Sequence, residues 1–287
     1  MPELPEVEAL RTFLERNCVG KSVARAELAA FACLKTVAIP LSALAGLEVD
    51  AVERRGKFVC ISIGGLWLAF HLARAGWLTW SDAMPDAPVR PGRGPLAFRL
   101  LFDDGSGFRL TEAGTQKRLA VYLVNRLEDV PGIASLGPDP LASDFTPEVL
   151  AAILTTAGRS QLKGVLRDQR IIAGIGNAYS DEILHAAKLS PFKPANALSD
   201  AERATLFDAI RGELAAAIER SAGLTAKDLK GDKKANLRVH GRTGQPCEVC
   251  GTTIAEVSFA DSSLQYCPGC QTGGKPLADR RLSRLLK

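Results

Sequence analysis

Four of the seven cysteines fall as Cys247-x2-Cys250 and, after sixteen intervening residues, Cys267-x2-Cys270. Each pair can sit on a tight knuckle with its sulfurs converging, and two knuckles make a closed tetrahedral site for one structural Zn2+. Gly251 follows the first knuckle and Gly269 lies inside the second, where such turns need backbone freedom. Residues 256–259 and 264–266 read as two short strands, so the spacing predicts a zinc ribbon. All four ligands are sulfur and no position is left for water, so the ion holds a fold and performs no chemistry. Cys18, Cys33 and Cys60 lack any such spacing and read as buried small hydrophobes.

The remainder must supply ordinary cores. Of 287 residues, 46% are hydrophobic and 24% charged, which excludes a disordered or collagen-like chain and suits two or three modest domains. No stretch approaches the roughly 18 apolar residues of a bilayer span. Glu3, Glu6, Glu8, Arg11, Glu15 and Arg16 interrupt the first twenty residues, which therefore do not read as the apolar core of a signal peptide. The expectation is a cytoplasmic protein with no membrane partner. The net charge of +4 is mild, but residues 226–287 hold 11 basic against 6 acidic side chains. That excess favours a polyanion contact at the C-terminal end, or else a solubilising tail.

Pattern changes divide the rest. Leu4, Val7, Leu10 and Leu14 recur at helical spacing, with Pro5 tolerated in a first turn. From about 22 to 128, segments such as 58–63, 66–72, 97–102 and 119–124 are β-like and separated by Gly and Asp turns, the pattern of a sandwich or barrel. Pro85, Pro88, Pro91 and Pro95 mark a surface loop, and 131–140 reads as a linker. Pro147 opens a helix, Ser199 can cap another over 201–222, and Gly174 and Gly176 interrupt the chain before a further helix. The expected fold is multidomain α+β. An N-terminal helix plus β-sandwich occupies 1–133, a helical domain 134–225, and a zinc ribbon with a basic tail 226–287.

The chain opens Met1-Pro2-Glu3-Leu4-Pro5-Glu6. A small second residue permits removal of Met1, which would expose a secondary amine at Pro2. Such an amine attacks an aldehyde-level carbon and gives an iminium directly. With a pKa of about 8 it is roughly 10% free base at neutral pH, about a hundredfold more than an ordinary lysine. Glu3 would stand beside it as proton donor and acceptor, with Glu6 on the same helical face. The competing reading is that acidic residues in a first turn simply complement the helix dipole.

Taken together, the N-terminal MPELPEVE, Arg55-Gly56-Lys57 before a strand, the segment GIGNAYSDEIL at 174–184 and the tetracysteine ribbon resemble the formamidopyrimidine-DNA glycosylase / endonuclease VIII family, over nearly the whole chain and in order. The resemblance implies a base excision repair enzyme that removes oxidised or ring-opened bases from damaged duplex DNA and then cleaves the abasic site by β/δ-elimination. It implies a helix–two-turns–helix motif in the middle domain, a monomer, and a bacterial-type, nucleoid-associated setting. Pro2 would be the nucleophile on the anomeric carbon, Glu3 the acid/base, Glu6 its orienting partner and Lys57 a phosphate-contacting member of the catalytic set. His71, Asn177 and Lys163 would contact DNA phosphate.

Recognition positions depart from the family pattern. Arg74 stands where a methionine gap filler is usual; it could fill the space of an extruded base or be a solvated loop residue. The orphan-base arginine and the wedge phenylalanine fall on Gly114 and Gln116, and the ribbon arginine on Ser262. Intact chemistry with altered recognition keeps oxidised or ring-opened bases as the first expectation; the alternative is an abasic-site lyase or a glycosylase with non-8-oxoguanine lesion specificity, and a non-catalytic damaged-DNA binder is a further alternative. A zinc-ribbon transcription factor leaves the N-terminus unexplained. The tail 271–287 could grip phosphate in place of the missing arginine or dock as an amphipathic helix.

Overall fold

The computed structural model describes residues 1–92, 94–114, 116–259 and 262–278. Most of the proposed tail segment, including Arg280, Arg281, Arg284 and Lys287, lies outside the described residues. The chain divides into two compact units, the first made of residues 1–136 and 221–230, the second of 137–220 and 231–287.

In the first unit, helix α1 (Leu4–Cys18) buries Leu4, Val7, Leu10, Leu14 and Cys18 on one stripe. Eight antiparallel strands follow: β1 (Val23–Leu28), β2 (Val49–Arg55), β3 (Phe58–Ile63), β4 (Leu66–His71), β5 (Gly76–Ser81), β6 (Leu96–Phe102), β7 (Gly107–Glu112) and β8 (Ala120–Val124). They form two sheets, ordered β1-β6-β7-β5 and β2-β3-β4-β8. Ile61, Leu68 and Phe70 of one sheet share a core with Phe98, Leu100, Phe108 and Leu110 of the other and with Val7, Leu10 and Leu14 of α1. The Phe70 and Phe108 rings meet at 5.9 Å between centroids. This is the β-sandwich expected from the β-like segments and the Gly and Asp turns between them, with the helix in front. The short link from β4 to β5 crosses between the sheets, and Gly76 at its end is required. A Cβ there would lie 2.1 Å from the Leu72 carbonyl oxygen, which accepts the Gly76 N–H at 2.8 Å. The Trp77 indole N–H donates to the Ala226 carbonyl at 2.7 Å, which fixes the returning segment 221–230 to the sandwich.

The second unit is helical, with a small sheet. After α2 (Pro131–Ala134), which closes the first unit's main segment, come α3 (Pro147–Ala157), α4 (Leu162–Arg167), α5 (Asn177–Ala186), α6 (Asp200–Ser221) and α7 (Leu229–Asn236), then β9 (Ala255–Ser258), β10 (Ser263–Tyr266) and α8 (Pro268–Thr272). The caps follow the sequence. The Thr146 side chain accepts the Val149 N–H ahead of Pro147. Ser199 and Glu202 exchange side-chain to backbone bonds at the start of α6. Strands β9 and β10 pair antiparallel between the two cysteine knuckles, the ribbon that the spacing predicts.

Candidate functional site

The N-terminal residues are placed by a reciprocal cap. Glu3 is the N-cap of α1; its carboxylate accepts the Glu6 N–H, while Glu6 Oε2 accepts the Glu3 N–H at 2.8 Å. Both side chains are almost fully buried. The dipole reading and the chemical reading of these acids are thus not exclusive: one pair of bonds caps the helix and locks the residue next to Pro2. Pro2 is itself buried, while Met1 is half exposed. With Met1 attached, the Pro2 nitrogen is an amide without a lone pair to give.

Lys57 sits in the two-residue turn Gly56-Lys57 that joins β2 to β3, where Arg55 pairs with Phe58. Gly56 supplies φ +55°, a value hairpin turns favour in glycine. Lys57 is only 7% exposed, which removes the reading of an ordinary solvated turn lysine. The turn is tied to α1 by Arg54, whose Nε donates to Glu8 Oε2 at 2.7 Å and whose Nη1 donates to the Gly56 carbonyl at 3.2 Å.

His71 ends β4, opposite Phe58, with ring centroids 4.9 Å apart. Burial first, and the positive charge of Lys57 second, push its pKa down to about 4. Its Nδ1 accepts the Ala73 N–H at 3.2 Å, so the neutral ring carries its proton on Nε2 and can offer it to an anion. Ala73 takes φ +51°, a left-handed conformation unusual for a side-chain-bearing residue, and the tight turn leaves Arg74 exposed. In the other sheet, at the end of β7, the buried Glu112 carboxylate accepts the Arg118 and Leu119 N–H groups at 2.8–3.1 Å. That carboxylate anchors the loop carrying the exposed Gly114 and Gln116. Sequence reasoning missed Glu112, as it missed Glu8 and Arg54. A lone acid at a strand end gives no signal until its backbone partners are seen.

In the second unit, Gly176 caps α5, and Gly174 takes φ +88° in the preceding turn. Gln169 fixes that turn: its Oε1 accepts the Gly174 N–H at 2.9 Å and its Nε2 donates to the Ile175 carbonyl at 2.6 Å. Asn177, the first residue of α5, donates from Nδ2 to the Ser263 carbonyl at 2.8 Å, which leaves its second amide proton for another acceptor. Lys163, expected at phosphate, is tied inside its own unit. Its Nζ is buried and donates to Asp181 Oδ1 at 2.6 Å, Ser180 Oγ at 2.8 Å and the Asn177 carbonyl at 3.0 Å. An ammonium taken out of water needs a paired carboxylate, and Asp181 supplies it from one helix turn beyond Asn177. Asp181 Oδ2 also meets His240 Nδ1 at 2.7 Å. The adjacent Glu182 accepts the N–H groups of Arg238, Val239 and His240 at 2.8–3.0 Å.

The four cysteines converge. Cys250 Sγ lies 3.3 Å from Cys267 Sγ and 3.4 Å from Cys270 Sγ, and Cys247 Sγ lies 3.9 Å from Cys270 Sγ. A tetrahedral Zn2+ with bonds of about 2.3 Å sets its sulfurs about 3.8 Å apart, so the donor set fits the ion. Burial pushes the thiols of Cys18, Cys33 and Cys60 up to about 12, 11 and 12.

Comparison with known proteins places each segment. Residues 1–118 match the formamidopyrimidine-DNA glycosylase N-terminal domain, 136–228 the formamidopyrimidine-DNA glycosylase H2TH domain, and 244–273 the zinc finger found in FPG and IleRS. The chain is 37% identical over 293 residues to the formamidopyrimidine-DNA glycosylase of Symbiobacterium thermophilum, covering 98% of this chain and 93% of that one. It is 57% identical over 157 residues to an uncharacterized formamidopyrimidine-DNA glycosylase-like protein of Mycobacterium tuberculosis, covering 55% of this chain and 98% of that one. In structure it is similar to the Lactococcus lactis formamidopyrimidine-DNA glycosylase bound to DNA containing an abasic site. The TM-score is 0.81 and the identity 29%, over 94% of this chain and 99% of that one.

Proposed function

The chain belongs to the formamidopyrimidine-DNA glycosylase family, and from that premise we propose that it excises damaged bases from duplex DNA and cleaves the resulting abasic site. The observation that carries this reading is the buried Glu3–Glu6 pair, which fixes an acid/base group beside a proline that methionine removal turns into an amine. The Pro2 nitrogen adds to the anomeric carbon as the glycosidic bond breaks, and the damaged base leaves with that electron pair. Pro2 then gives up its N–H proton, Glu3 protonates the ring oxygen, and the C1′–O4′ bond opens to leave an iminium at C1′ and a hydroxyl at C4′. The iminium loses its C2′ proton and the C3′–O bond breaks to expel the 3′ phosphate; loss of the C4′ proton then breaks the C5′–O bond and expels the 5′ phosphate. Lys57 and the neutral Nε2–H of His71 bind phosphate on the first unit, and the free amide proton of Asn177 and the N–H groups at the start of α5 do so on the second. The one Zn2+, held by Cys247, Cys250, Cys267 and Cys270, supplies no reactive position and keeps the ribbon folded.

The relatives whose structures resemble this one are bound to abasic or formamidopyrimidine-containing DNA, which supports damaged duplex as the partner. We take the protein to act as a monomer in the bacterial cytoplasm; no helix among the described residues is long and apolar enough to cross a membrane. Exposed Arg74, Gly114 and Gln116 favour a lesion other than 8-oxoguanine, because neither glycine nor a flexible amide wedges a base stack as an aromatic ring does.

The test is borohydride trapping on a duplex with a single abasic site, with the adduct mapped by mass spectrometry. An adduct on the N-terminal Pro2 is expected. Intact DNA binding with no adduct, in protein whose N-terminus is free Pro2, would replace the enzyme with a damage-binding protein.

A further inference from the structure

Helix α5 is fastened to the ribbon at both ends. At its start Asn177 bonds the Ser263 carbonyl of β10. At its other end His185, 3% exposed, brings Nε2 to 3.3 Å from Cys247 Sγ. The donor atoms of His185, Cys247, Cys267 and Cys270 all lie within 4.8 Å of one another. His185 is therefore part of the metal centre, in a position that the cysteine spacing cannot reveal, since it lies 62 residues before Cys247.

Two observations decide what it does there. The first is the sulfur count: Cys250 Sγ lies 3.3 and 3.4 Å from Cys267 Sγ and Cys270 Sγ, and Cys247 Sγ lies 3.9 Å from Cys270 Sγ, so four sulfurs already gather round one point and a four-coordinate ion bound by them has no position left for nitrogen. The second is the other ring nitrogen. His185 Nδ1 is buried and has no hydrogen-bond partner among the described residues. A metal-bound thiolate only accepts, so a proton on Nε2 makes a bond and leaves Nδ1 as a bare lone pair. The opposite tautomer would aim two acceptors at each other and bury an Nδ1–H with nothing to receive it, the costlier kind of orphan. Cys247 is 3% exposed, so solvent cannot supply that N–H. Four thiolates on one Zn2+ leave a net negative charge, and an N–H aimed at sulfur draws part of it away.

We propose that His185 donates its Nε2–H to the zinc-bound Cys247 thiolate, so that the metal centre and the helix carrying Asn177 are held as one piece. His185 is a positioning residue: it touches a ligand and not the ion. The proposal rests on the zinc reading above, which the first measurement checks separately.

The full-length protein purified with zinc is assayed for metal content and titrated with a chromophoric chelator. Wild type should carry one zinc; a metal-free wild type would overturn the zinc reading, and the proposal with it. His185→Phe, which fills the slot without an N–H, should hold zinc roughly 10- to 100-fold more weakly, the usual effect of losing a ligand's hydrogen-bond partner. His185→Gln, whose amide can donate to sulfur, should recover most of the loss. Cobalt-substituted wild type should show the absorption of four sulfur ligands. Unchanged zinc retention in the Phe variant would overturn the proposal with the zinc site intact, and so would a cobalt spectrum of three sulfurs and one nitrogen. If the Phe variant is insoluble, His185→Met compared with His185→Gln makes the same distinction.

Discussion

Glu6 Oε2 accepts the backbone N–H of Glu3 at 2.8 Å, and the Glu3 carboxylate returns a bond to the backbone of Glu6. Each carboxylate makes one of the two bonds that fix the residue beside Pro2, so stability and chemistry are linked here. Glu6→Ala should lose about 1 kcal/mol or more of stability from the broken cap and also lower the rate of Pro2 adduct formation. Glu6→Gln keeps an acceptor and should lie near wild type in stability. Urea unfolding and the trapping rate measure the two effects on the same samples.

Lys163 separates burial from DNA contact. Lys163→Met leaves the buried Asp181 carboxylate facing His240 without its ammonium partner, and should cost about 3–5 kcal/mol. The double variant Lys163→Met/Asp181→Leu should recover much of that. In the folded double variant the salt dependence of DNA binding should be unchanged, whereas a lost phosphate contact would flatten the log–log slope by about 0.9.

His71 predicts an acid-side loss of stability. Its pKa is about 4 in the fold and about 6.5 unfolded, so between those values the unfolded chain binds the extra proton. The stability conferred by a neutral His71 is complete above about pH 6.5 and is lost as pH falls towards 4. Chemical denaturation at pH 7 and pH 5 should show a smaller difference in His71→Gln than in wild type. An equal difference would mean that His71 does not stay neutral in the fold.

Arg54 holds the Lys57 turn to α1 through Glu8 and the Gly56 carbonyl. Arg54→Lys cannot reproduce the fork, since an ammonium reaches either partner as a point charge. Binding to abasic duplex should weaken several-fold, with a melting temperature lowered by a few degrees. Fluorescence anisotropy and thermal unfolding check it.

Thiol labelling divides the seven cysteines. With zinc bound, alkylation of native protein should be slow throughout. After chelation, Cys247, Cys250, Cys267 and Cys270 should react. Cys18, Cys33 and Cys60 should stay unlabelled until the fold opens, because burial holds their thiols near 11 or 12. Peptide mapping after alkylation reads the pattern.

The sequence determined whatever depends on spacing and local pattern. Cys247-x2-Cys250 and Cys267-x2-Cys270 pointed to one metal site ahead of a redox dithiol, because knuckle geometry is local. The apolar, β-like runs at 58–63 and 66–72 implied a sheet, Pro147 and Ser199 marked helix starts, and MPELPE placed two acids on a first turn. Tertiary structure decided which charges face water and which are spent inside. Lys163 and Lys57 are both lysines near glycines in the sequence, yet one is locked to Asp181 within its unit and the other sits in a turn held by Arg54. His185 gave no sign of its tie to Cys247, and Glu112 gave none of the loop it anchors. The reason is physical: desolvation and hydrogen-bond satisfaction are set by atoms brought from distant parts of the chain, and a linear pattern carries no record of which atoms those are.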